Sequence, residues 1–333
     1  MGYWFQPNNQ CDIAISSRIR LARNIKGVPF PFKMNPEQIK QINHQVRDAI
    51  ANSDNSLAKK LKYIEMENIP EIERFAMVER HIISKKFALN YQNRAIIISD
   101  DESICIMLCE EDHIRIQVLE SGLQLKKAYE TANIIDNILC DSLDIAFDER
   151  LGFLTECTTN LGTGLRASVM LHLPLFEANG GIKKYITNIT RMGFTIRGMY
   201  GEGTKPLASI YQLSNQITLG ITEKEAIDKT TNVAKQFIKS EKEYRNQLDT
   251  LRIEDRCMRS YGVLKNARVL TSDELMSRMG DIMIGISLGI IKNIRYPMAI
   301  FVSAQPYMLM RKYGEMSPES RDIERATMIR SLL

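Results

Sequence analysis

The chain of 333 residues has no long apolar run and no large excess of charge of one sign. A membrane helix needs roughly 18 consecutive apolar residues, and the N-terminal MGYWFQPNNQ lacks the charged start and apolar core of a signal peptide. The 44 basic and 40 acidic residues leave a net charge of +4, which is too balanced to indicate nucleic-acid binding. We therefore expect a cytoplasmic protein with neither a membrane nor a nucleic acid as partner.

Paired cysteines of the kind that bind metals are also missing. The six cysteines stand at positions 11, 105, 109, 140, 157 and 257. None forms a C-x-x-C pair, and Cys109 with His113 supplies only two ligands, which do not make a zinc site. Free thiols in a reducing compartment fit this spacing best, and no metal site built from side chains is expected.

Short apolar runs predict strands in a chain whose composition, 44% apolar and 25% charged, is that of a globular protein. Residues 95–98 and 104–108 have strand length, and HIRIQVL (113–119) alternates polar and apolar residues. The alternation puts Arg115 on one strand face with His113 and Gln117. Further strands are predicted in ASVMLHL (167–173), GFTIRGM (193–199) and ASIYQLSNQITL (208–219).

Capping residues mark several helix starts, and AYETANIIDNIL (128–139) also reads as a helix. The capping signals are Asn35-Pro36, Thr222 with Glu225, Thr271 and Ser317-Pro318. From about residue 250 the chain is rich in Met, Leu and Ile at helical spacing. We predict an α+β fold, with an antiparallel-sheet domain flanked by helices at residues 10–245 and a mostly helical C-terminal domain at 250–333.

Five arginines lie in four segments that combine cations with turns or strands. The segments are SSRIRLARN (16–24), CEEDHIRIQ (109–117), CTTNLGTGLRAS (157–168) and RGMYGEG (197–203), and the arginines are Arg18, Arg20, Arg115, Arg166 and Arg197. A glycine-rich loop beside an arginine indicates a phosphate site, although the P-loop pattern G-x-x-x-x-G-K-[ST] is absent. Taken singly, an arginine pair is typical of a solvated edge and an EED run of a solvated turn.

Together, these residues suit phosphoryl transfer from ATP. Catalysis of that reaction is mostly clamping of a highly charged triphosphate and its Mg²⁺, and the planar forks of arginine pair bidentately with phosphate oxygens. Glu111 and Glu202 would hold a guanidinium by its N–H edges, and one of them would take its proton. Cys157 would assist as a thiolate beside the guanidinium, stabilised by nearby cations.

In this order the four segments resemble the phosphagen (guanidino) kinase family over roughly residues 12–220. The resemblance implies acidic guanidinium-binding residues at Glu111 and Glu202, an active-site cysteine at Cys157, ATP as substrate, and Mg²⁺ held mainly through the nucleotide. It implies nucleotide-binding residues at Ser16, Ser17, Arg18, Ile19, Arg20, His81, Arg115, Arg166, Ala167, Ser168, Val169, Met170, Arg197, Gly198, Met199, Tyr200, Gly201 and Glu202. Where the family commonly has N-E-E-D-H and C-P-T-N, this chain has Cys109 and Thr158, which bear on loop rigidity rather than on charge.

The layout of the chain resembles one branch of that family, the McsB-like bacterial protein-arginine kinases. Members that act on small guanidines carry a helical domain before SSRIR, whereas here SSRIR starts at residue 16 and a helical extension follows residue 250. RDIERA (321–326) matches the branch's R-D-x-x-R-A phosphoarginine-binding motif, which implies an allosteric site at Arg321, Asp322, Arg325 and Ala326. Spacing alone favours a solvated helix in which Asp322 pairs with Arg325. Ile323, Ala326 and Ile329 are expected to pack this helix on its domain.

The resemblance implies an ATP-dependent kinase that phosphorylates arginine side chains of proteins. It further implies a homo-oligomer, a small zinc-binding activator, a Clp-type unfoldase and protease that receive the marked proteins, and an effect on a heat-shock repressor. One alternative is a kinase of free arginine that lacks the N-terminal lid, which incubation with ATP and free arginine would reveal. Another is a silent phosphoarginine-binding adaptor, against which the presence of both glutamates and all five arginines argues.

Overall fold

The computed structural model describes residues 4, 12–199, 208–247, 249–292, 294 and 296–333, without the side chain of Lys183. In this part of the chain the strands are β1 (Ala14–Arg23), β2 (Leu61–Glu65), β3 (Ala95–Ser99), β4 (Ile104–Leu108), β5 (Ile114–Ser121), β6 (Phe147–Asp148), β7 (Gly152–Phe153), β8 (Leu165–His172), β9 (Phe194–Gly198) and β10 (Ile210–Asn215). The helices are α1 (Pro36–Ala51), α2 (Glu71–Glu79), α3 (Lys85–Leu89), α4 (Leu125–Ser142), α5 (Pro174–Ala178), α6 (Gly181–Arg191), α7 (Glu223–Arg245), α8 (Thr250–Asn266), α9 (Ser272–Ser287), α10 (Pro297–Ser303), α11 (Pro306–Tyr313) and α12 (Pro318–Leu332). The α+β class predicted from the sequence is confirmed.

These elements belong to two compact units. The first comprises Trp4, Ser16–Val169 and Ser214–Asn232, and the second comprises the described residues of Phe5–Ile15, Met170–Leu213 and Val233–Leu333. Among the described residues, no helix has both the length and the hydropathy that crossing a bilayer requires.

The first unit is built on a sheet whose strands follow the order β2-β3-β4-β5-β1-β8. The pairs from β2 to β1 are all antiparallel. On β1 the pattern of the sequence explains the strand, because Ile19 and Leu21 are buried in the core while Arg18 and Arg20 alternate with them. In the pairing of β1 with β5, Arg20 lies opposite Gln117 and Ala22 opposite Arg115. Both strands therefore point arginines to one face of the sheet.

Local signals correctly marked the helices that flank this sheet. Asn35 and Gln38 form a capping box at the start of α1, with Pro36 in the first turn. The predicted helix at 128–139 lies within α4, which is tied to the end of β1 by a buried bidentate ion pair between Arg23 and Asp136, at 2.8 and 2.7 Å. This ion pair fixes the end of the strand that carries Arg18 and Arg20.

The strand predicted to continue through residues 208–219 ends at Asn215. The Asn215 side chain accepts a hydrogen bond from Ala167 N and donates to the carbonyl oxygens of Leu165 and Ile217. Because its amide satisfies backbone groups that a longer strand would pair, the chain turns here, and Ile217 and Leu219 are exposed.

In the second unit, α8 to α12 form the helical C-terminal part of the chain. Thr271 and Ser317 cap α9 and α12 through hydrogen bonds from Glu274 N and Ser320 N, as their positions predicted. The prediction that Ile323 packs α12 on its domain is wrong, since Ile323 is 47% exposed. The buried face of α12 is formed by Arg325, Ala326, Met328 and Ile329. Because the long Arg325 side chain is part of the buried face, Ile323 lies on the exposed side of α12.

Candidate functional site

Four of the five predicted arginines come together on the sheet of the first unit. Arg18 and Arg20 lie on β1, Arg115 on β5 and Arg166 on β8, and both β5 and β8 are neighbours of β1. Ser168, two residues after Arg166, accepts a hydrogen bond from Arg18 Nε at 3.5 Å, which ties the two strands together at the cluster. Residues almost 150 positions apart in sequence thus share one surface. We call these four residues the arginine cluster.

The electrostatics of the arginine cluster are those of an anion site. Burial, followed by repulsion from Arg115 and Arg166, lowers the pKa of Arg18 to about 9. The same effects, with Arg18 added, lower the pKa of Arg20 well below its usual value. Among the described residues, Arg20 Nε is buried and has no hydrogen-bond partner, an arrangement that costs free energy unless an acceptor is supplied. The cluster therefore fits the phosphate oxygens of a nucleotide.

Glu110 is a carboxylate in direct contact with this excess of positive charge. It is buried and accepts hydrogen bonds from Ser84 Oγ and Arg115 Nη1. Burial acts to raise the pKa of Glu110, but the charge of Arg115 and the two hydrogen bonds outweigh burial and lower it below the usual value. The sequence predicted no role for Glu110, because an EED run on its own indicates only a solvated turn.

Glu111 and Cys157 are brought into neighbouring loops by Asp112. The Asp112 carboxylate accepts hydrogen bonds from Asn24 Nδ2 at 2.7 Å and from Glu156 N at 2.8 Å. The first contact fixes the turn after β4, and the second fixes the loop that holds Cys157. Glu111 itself is half-buried, and Lys86 Nζ lies 3.9 Å from its Oε1.

Cys157 is half-buried, and its Sγ lies 3.0 Å from Thr159 Oγ1. Glu111 and Cys157 are therefore accessible to a ligand in the way that Glu110 and Asp112 are not. Their predicted catalytic roles stay predictions.

The turn that carries Glu110, Glu111 and Asp112 begins with a residue in a strained backbone conformation. Cys109 has a φ of +60°, in the left-handed region that favours glycine and asparagine, and its N–H donates to His113 O at 2.8 Å to close the turn. The family that the four segments resemble commonly has asparagine here. Burial lowers the pKa of Arg94 below its usual value, although Glu110 and Cys109 act in the opposite direction. Among the described residues, Arg94 Nη1 has no hydrogen-bond partner. An amide oxygen at position 109 would meet an available donor.

We predict that Cys109→Asn raises the free energy of unfolding by about 1 kcal/mol, because asparagine tolerates the left-handed conformation and its side chain can accept from Arg94. Urea unfolding of the two proteins would measure the difference. Cys109→Ala is the matched control, since it keeps the Cβ and the strained φ and is expected to give no gain. A loss of stability in the asparagine variant would contradict this account.

His81 occupies an unusual position at the end of α2. The N–H of His81 donates to Val78 O and that of Ile82 to Met77 O, which is the Schellman arrangement, and His81 has a φ of +60° where glycine is usual. Burial and the charge of Arg18 lower the pKa of His81 to about 3, so the ring is neutral beside the arginine cluster. A non-glycine residue held in this conformation is typical of functional sites. It supports the nucleotide-binding role that resemblance assigns to His81.

The glycines ahead of Arg166 are required by close packing of the backbone. Gly162 has a φ of +108°, and a Cβ there would lie 2.8 Å from Leu219 Cα. Gly164 has a φ of +62°, and a Cβ there would lie 2.6 Å from Ala22 O. Both glycines therefore hold the start of β8 against its neighbours and so position Arg166.

Several other predicted nucleotide-binding residues lie in the first unit but have their side chains engaged in the fold. The Ser17 hydroxyl donates to Gly122 O and accepts from Gln124 N, both at 2.8 Å. Ile19, Ala167 and Val169 have no exposed side-chain surface, and Ser16 is buried. Such residues shape the strands that carry the arginines, and any contact they make with a nucleotide is through the backbone.

The remaining predicted site residues belong to the second unit or lie outside the described residues. Met170 on β8, and Arg197, Gly198 and Met199 at the end of β9, belong to the second unit, where Arg197 Nε donates to Thr195 Oγ1 at 3.1 Å. Tyr200, Gly201 and Glu202 lie outside the described residues. Their predicted roles are therefore argued from resemblance.

The RDIERA segment opens α12 in the second unit, and its two arginines differ sharply. Arg325 is 1% exposed. Its Nε donates to Ala304 O and its Nη1 to Leu270 O, both at 2.8 Å. The same guanidinium forms an ion pair with Asp322. Arg321 is half-buried, and its Nη1 lies 3.9 Å from the sulfur of Met310. Ala326 is fully buried. Arg325 therefore joins three segments of the C-terminal part, and Arg321 faces a more open environment.

Comparisons with known proteins agree with this geometry. A model of the ATP:guanido phosphotransferase C-terminal catalytic domain matches residues 41–244, and a model of the protein-arginine kinase McsB C-terminal domain matches residues 250–333. The protein-arginine kinase of Caldanaerobacter subterraneus subsp. tengcongensis is 41% identical over 97% of both chains. That of Moorella thermoacetica is 42% identical over 99% of this chain and 97% of its own.

Similarity to solved structures shows the fold. The crystal structure of a lombricine kinase matches with a TM-score of 0.61 at 23% identity, covering 74% of this chain and 70% of the kinase. With two domain models and near-complete relatives in agreement, the chain belongs to the ATP:guanido phosphotransferase family, among its protein-arginine kinases.

Proposed function

We propose that this guanido phosphotransferase is an ATP-dependent protein-arginine kinase that transfers the γ-phosphoryl group of ATP to arginine side chains of proteins. The observation that carries the proposal is the arginine cluster. Its four guanidinium groups include Arg115, which is paired with the buried carboxylate of Glu110, and Glu111 follows in the same turn. Relatives named as protein-arginine kinases over 97% of the chain support a polypeptide acceptor.

The arginine cluster would bind the triphosphate. Arg18, Arg20, Arg115 and Arg166 offer planar forks to phosphate oxygens, and the unsatisfied Nε of Arg20 fits an additional acceptor. Neutralising the negative charge of the triphosphate stabilises the phosphoryl group as it moves between donor and acceptor. Mg²⁺ would be held mainly through the nucleotide, where it supplies further neutralisation of the β- and γ-phosphate oxygens.

Glu111 would orient the acceptor guanidinium and remove its proton. The contact between Lys86 and Glu111, at 3.9 Å between partly exposed groups, is weak enough for a substrate guanidinium to replace it. As a proton passes from the guanidinium nitrogen to Glu111, the nitrogen attacks the γ-phosphorus. The N–P bond forms, the bond from the γ-phosphorus to the β,γ-bridging oxygen breaks, and ADP leaves with that electron pair. Glu202 would hold the second edge of the guanidinium, and the Cys157 thiolate would stabilise its charge.

Mass spectrometry of an unfolded protein with accessible arginines, such as casein, incubated with ATP and kept from acid, tests this function. We expect phosphate on arginine side chains, together with release of ADP. Parallel incubation with free arginine separates the alternatives, because a small-guanidine kinase would consume free arginine at least as well as the protein. Binding of phosphoarginine without any turnover would instead indicate an adaptor.

The partners proposed for this kinase follow from its resemblance to the branch. They are protein substrates with exposed arginines, a second copy of the chain, a zinc-binding activator, a Clp-type unfoldase with its protease, and a heat-shock repressor. We place all of them, with the kinase, in the cytoplasm. Co-purification from cells at native expression, with an Arg18→Ala variant as the comparison, would test which of them bind.

We further propose that Arg321, Asp322, Arg325 and Ala326 form an allosteric phosphoarginine site with divided roles. Arg321 would contact the phosphoryl group, since within the described part of the chain its guanidinium has a weak contact to the Met310 sulfur and no bond to a buried carbonyl or carboxylate. Arg325 would hold the site together through Ala304 O and Leu270 O. The motif therefore combines one binding arginine with one that maintains the fold.

The two arginine variants are expected to behave differently. Arg321→Ala should abolish activation by added phosphoarginine and change the free energy of unfolding by less than about 0.5 kcal/mol. Arg325→Ala should lower the free energy of unfolding by about 3 kcal/mol, because two buried carbonyl groups and Asp322 lose their partner. Activation curves and thermal unfolding of both variants would measure this. Equal loss of stability in the two would contradict the division.

A further inference from the structure

Trp4 is the single tryptophan of the chain, and it is buried against the turn that carries His81. Its Nε1 donates to Arg80 O at 2.8 Å, and its ring meets the His81 ring edge-on, with centroids 5.3 Å apart and planes at 79°. The indole is 1% exposed. A residue at the start of the chain therefore makes two directional contacts with a turn nearly 80 positions later.

The same turn is also held by β5. Gln117 Nε2 donates to His81 O at 3.0 Å and to Ile82 O at 2.9 Å. Gln117 lies opposite Arg20 on β1 and two residues from Arg115, so it belongs to the strand face of the arginine cluster. His81 thus contacts both the Trp4 indole and the strand that supplies an arginine of the cluster.

The surroundings of His81 determine the charge of its ring. The ring lies within the field of Arg18 and is neutral, so it adds no charge to the arginine cluster. Its left-handed backbone has to be maintained by neighbouring contacts, since the conformation is costly for a residue with a Cβ. Trp4 supplies the contact to the ring itself.

We propose that Trp4 is a positioning residue for the nucleotide: it sets the plane of the His81 ring beside Arg18 and thereby controls nucleotide affinity. This inference rests on the proposed nucleotide site. It makes Trp4 part of the active enzyme. Displacement of Trp4 is expected to weaken nucleotide binding and to leave the handling of the acceptor unchanged.

Fluorescence of the wild-type protein provides a test that needs no substitution. Because Trp4 is the single tryptophan, tryptophan emission reports on the surroundings of this one indole, which include the His81 ring and Arg80 O. We expect addition of ADP to change the emission in a saturable way, with the same half-saturation as ADP binding measured by calorimetry. Binding by calorimetry without any change in emission would overturn the inference and leave the proposed function in place. Absence of ADP binding would overturn both.

Variants of Trp4 test the positioning role itself. Trp4→Ala should raise the Kd for ADP and the KM for ATP about tenfold, within the range of coupling between linked sites, with kcat and the acceptor KM unchanged. Trp4→Phe keeps a ring edge against His81 but has no N–H donor, so it should restore part of the affinity. Ile135→Ala is the matched control, because it empties a fully buried position of α4 in the same unit and should lower the thermal midpoint without changing the Kd for ADP.

The comparison among these variants distinguishes positioning from general packing. If Trp4→Ala and Ile135→Ala weaken ADP binding equally, or if Trp4→Ala loses stability with a normal Kd for ADP, Trp4 is only part of the core. If affinity falls for Trp4→Ala alone and recovers in part for Trp4→Phe, the inference is supported.

Discussion

Replacement of Glu111 by glutamine is expected to lower kcat by about a hundredfold or more, the usual contribution of a general base. The amide keeps the size and the hydrogen-bonding edge of the carboxylate, but it cannot accept a proton at neutral pH. The KM for ATP should remain near that of the wild type, because Glu111 is not part of the arginine cluster. Steady-state rates of ADP release with a protein acceptor would measure both quantities.

Two comparisons sharpen the Glu111 experiment. Glu149→Gln makes the same chemical change at an exposed turn position of the first unit and should leave kcat unaltered. Lys86→Ala removes the cation that lies 3.9 Å from Glu111 Oε1 and should alter the acceptor KM more than kcat. Near-normal phosphorylation of protein arginine by Glu111→Gln would assign proton removal to another group, and Glu202 would be the first to examine.

The second large effect is expected for Glu110→Gln. Removing this carboxylate takes away the ion-pair partner of Arg115 and a negative charge that stabilises Arg20, so the free energy of unfolding should fall by about 3 kcal/mol, as for other broken buried ion pairs. ADP should compensate for much of the loss, since phosphate oxygens replace the missing negative charge. Thermal unfolding with and without ADP should therefore show a larger stabilisation by ADP in the variant than in the wild type.

Glu120→Gln is the matched control for this result. Glu120 lies on β5, is as buried as Glu110 and pairs with Lys127 at 2.9 Å, away from the arginine cluster. That variant should lose stability but keep the ADP effect of the wild type. An equal ADP effect in all three proteins would contradict the role of Glu110 as counterion.

The pH dependence of stability offers an independent check on Glu110. The folded protein lowers the pKa of this carboxyl group, so the ion pair stabilises the fold above the usual value of 4.5 and loses its effect as pH falls through the folded pKa. The stability difference between wild type and Glu110→Gln should therefore be full at neutral pH and disappear in acid. A difference that stays constant across this range would point to packing instead of charge.

Much of the local structure was predictable from residues close together in sequence. The caps Asn35, Thr271 and Ser317 and the strand β5 all lie where their patterns indicated. The family was also evident, because four short motifs occur in order. Each of these signals acts over a few neighbouring residues, through backbone hydrogen bonds or through side-chain periodicity.

Other features had no local signal. Glu110 looked like part of a solvated run, yet folding buries it between Ser84 and Arg115. Arg325 looked like a surface cation, yet it is enclosed by the carbonyl groups of Ala304 and Leu270. In both cases the partner lies far along the chain or on another element, and the sequence contains no information on which distant groups will meet.

The amino-acid pattern was sufficient to identify the strands β3, β4, β5, β8, β9 and β10, the capped helices, the family and the arginines that carry the charge. Strand order and side-chain packing then determined which of those charges share a surface, which carboxylate balances them, and that Trp4 rests on His81. The physical reason is the range of the forces involved. Helix and strand preferences act between near neighbours, whereas burial, desolvation and ion pairing depend on groups that come together only when the sheet closes its core.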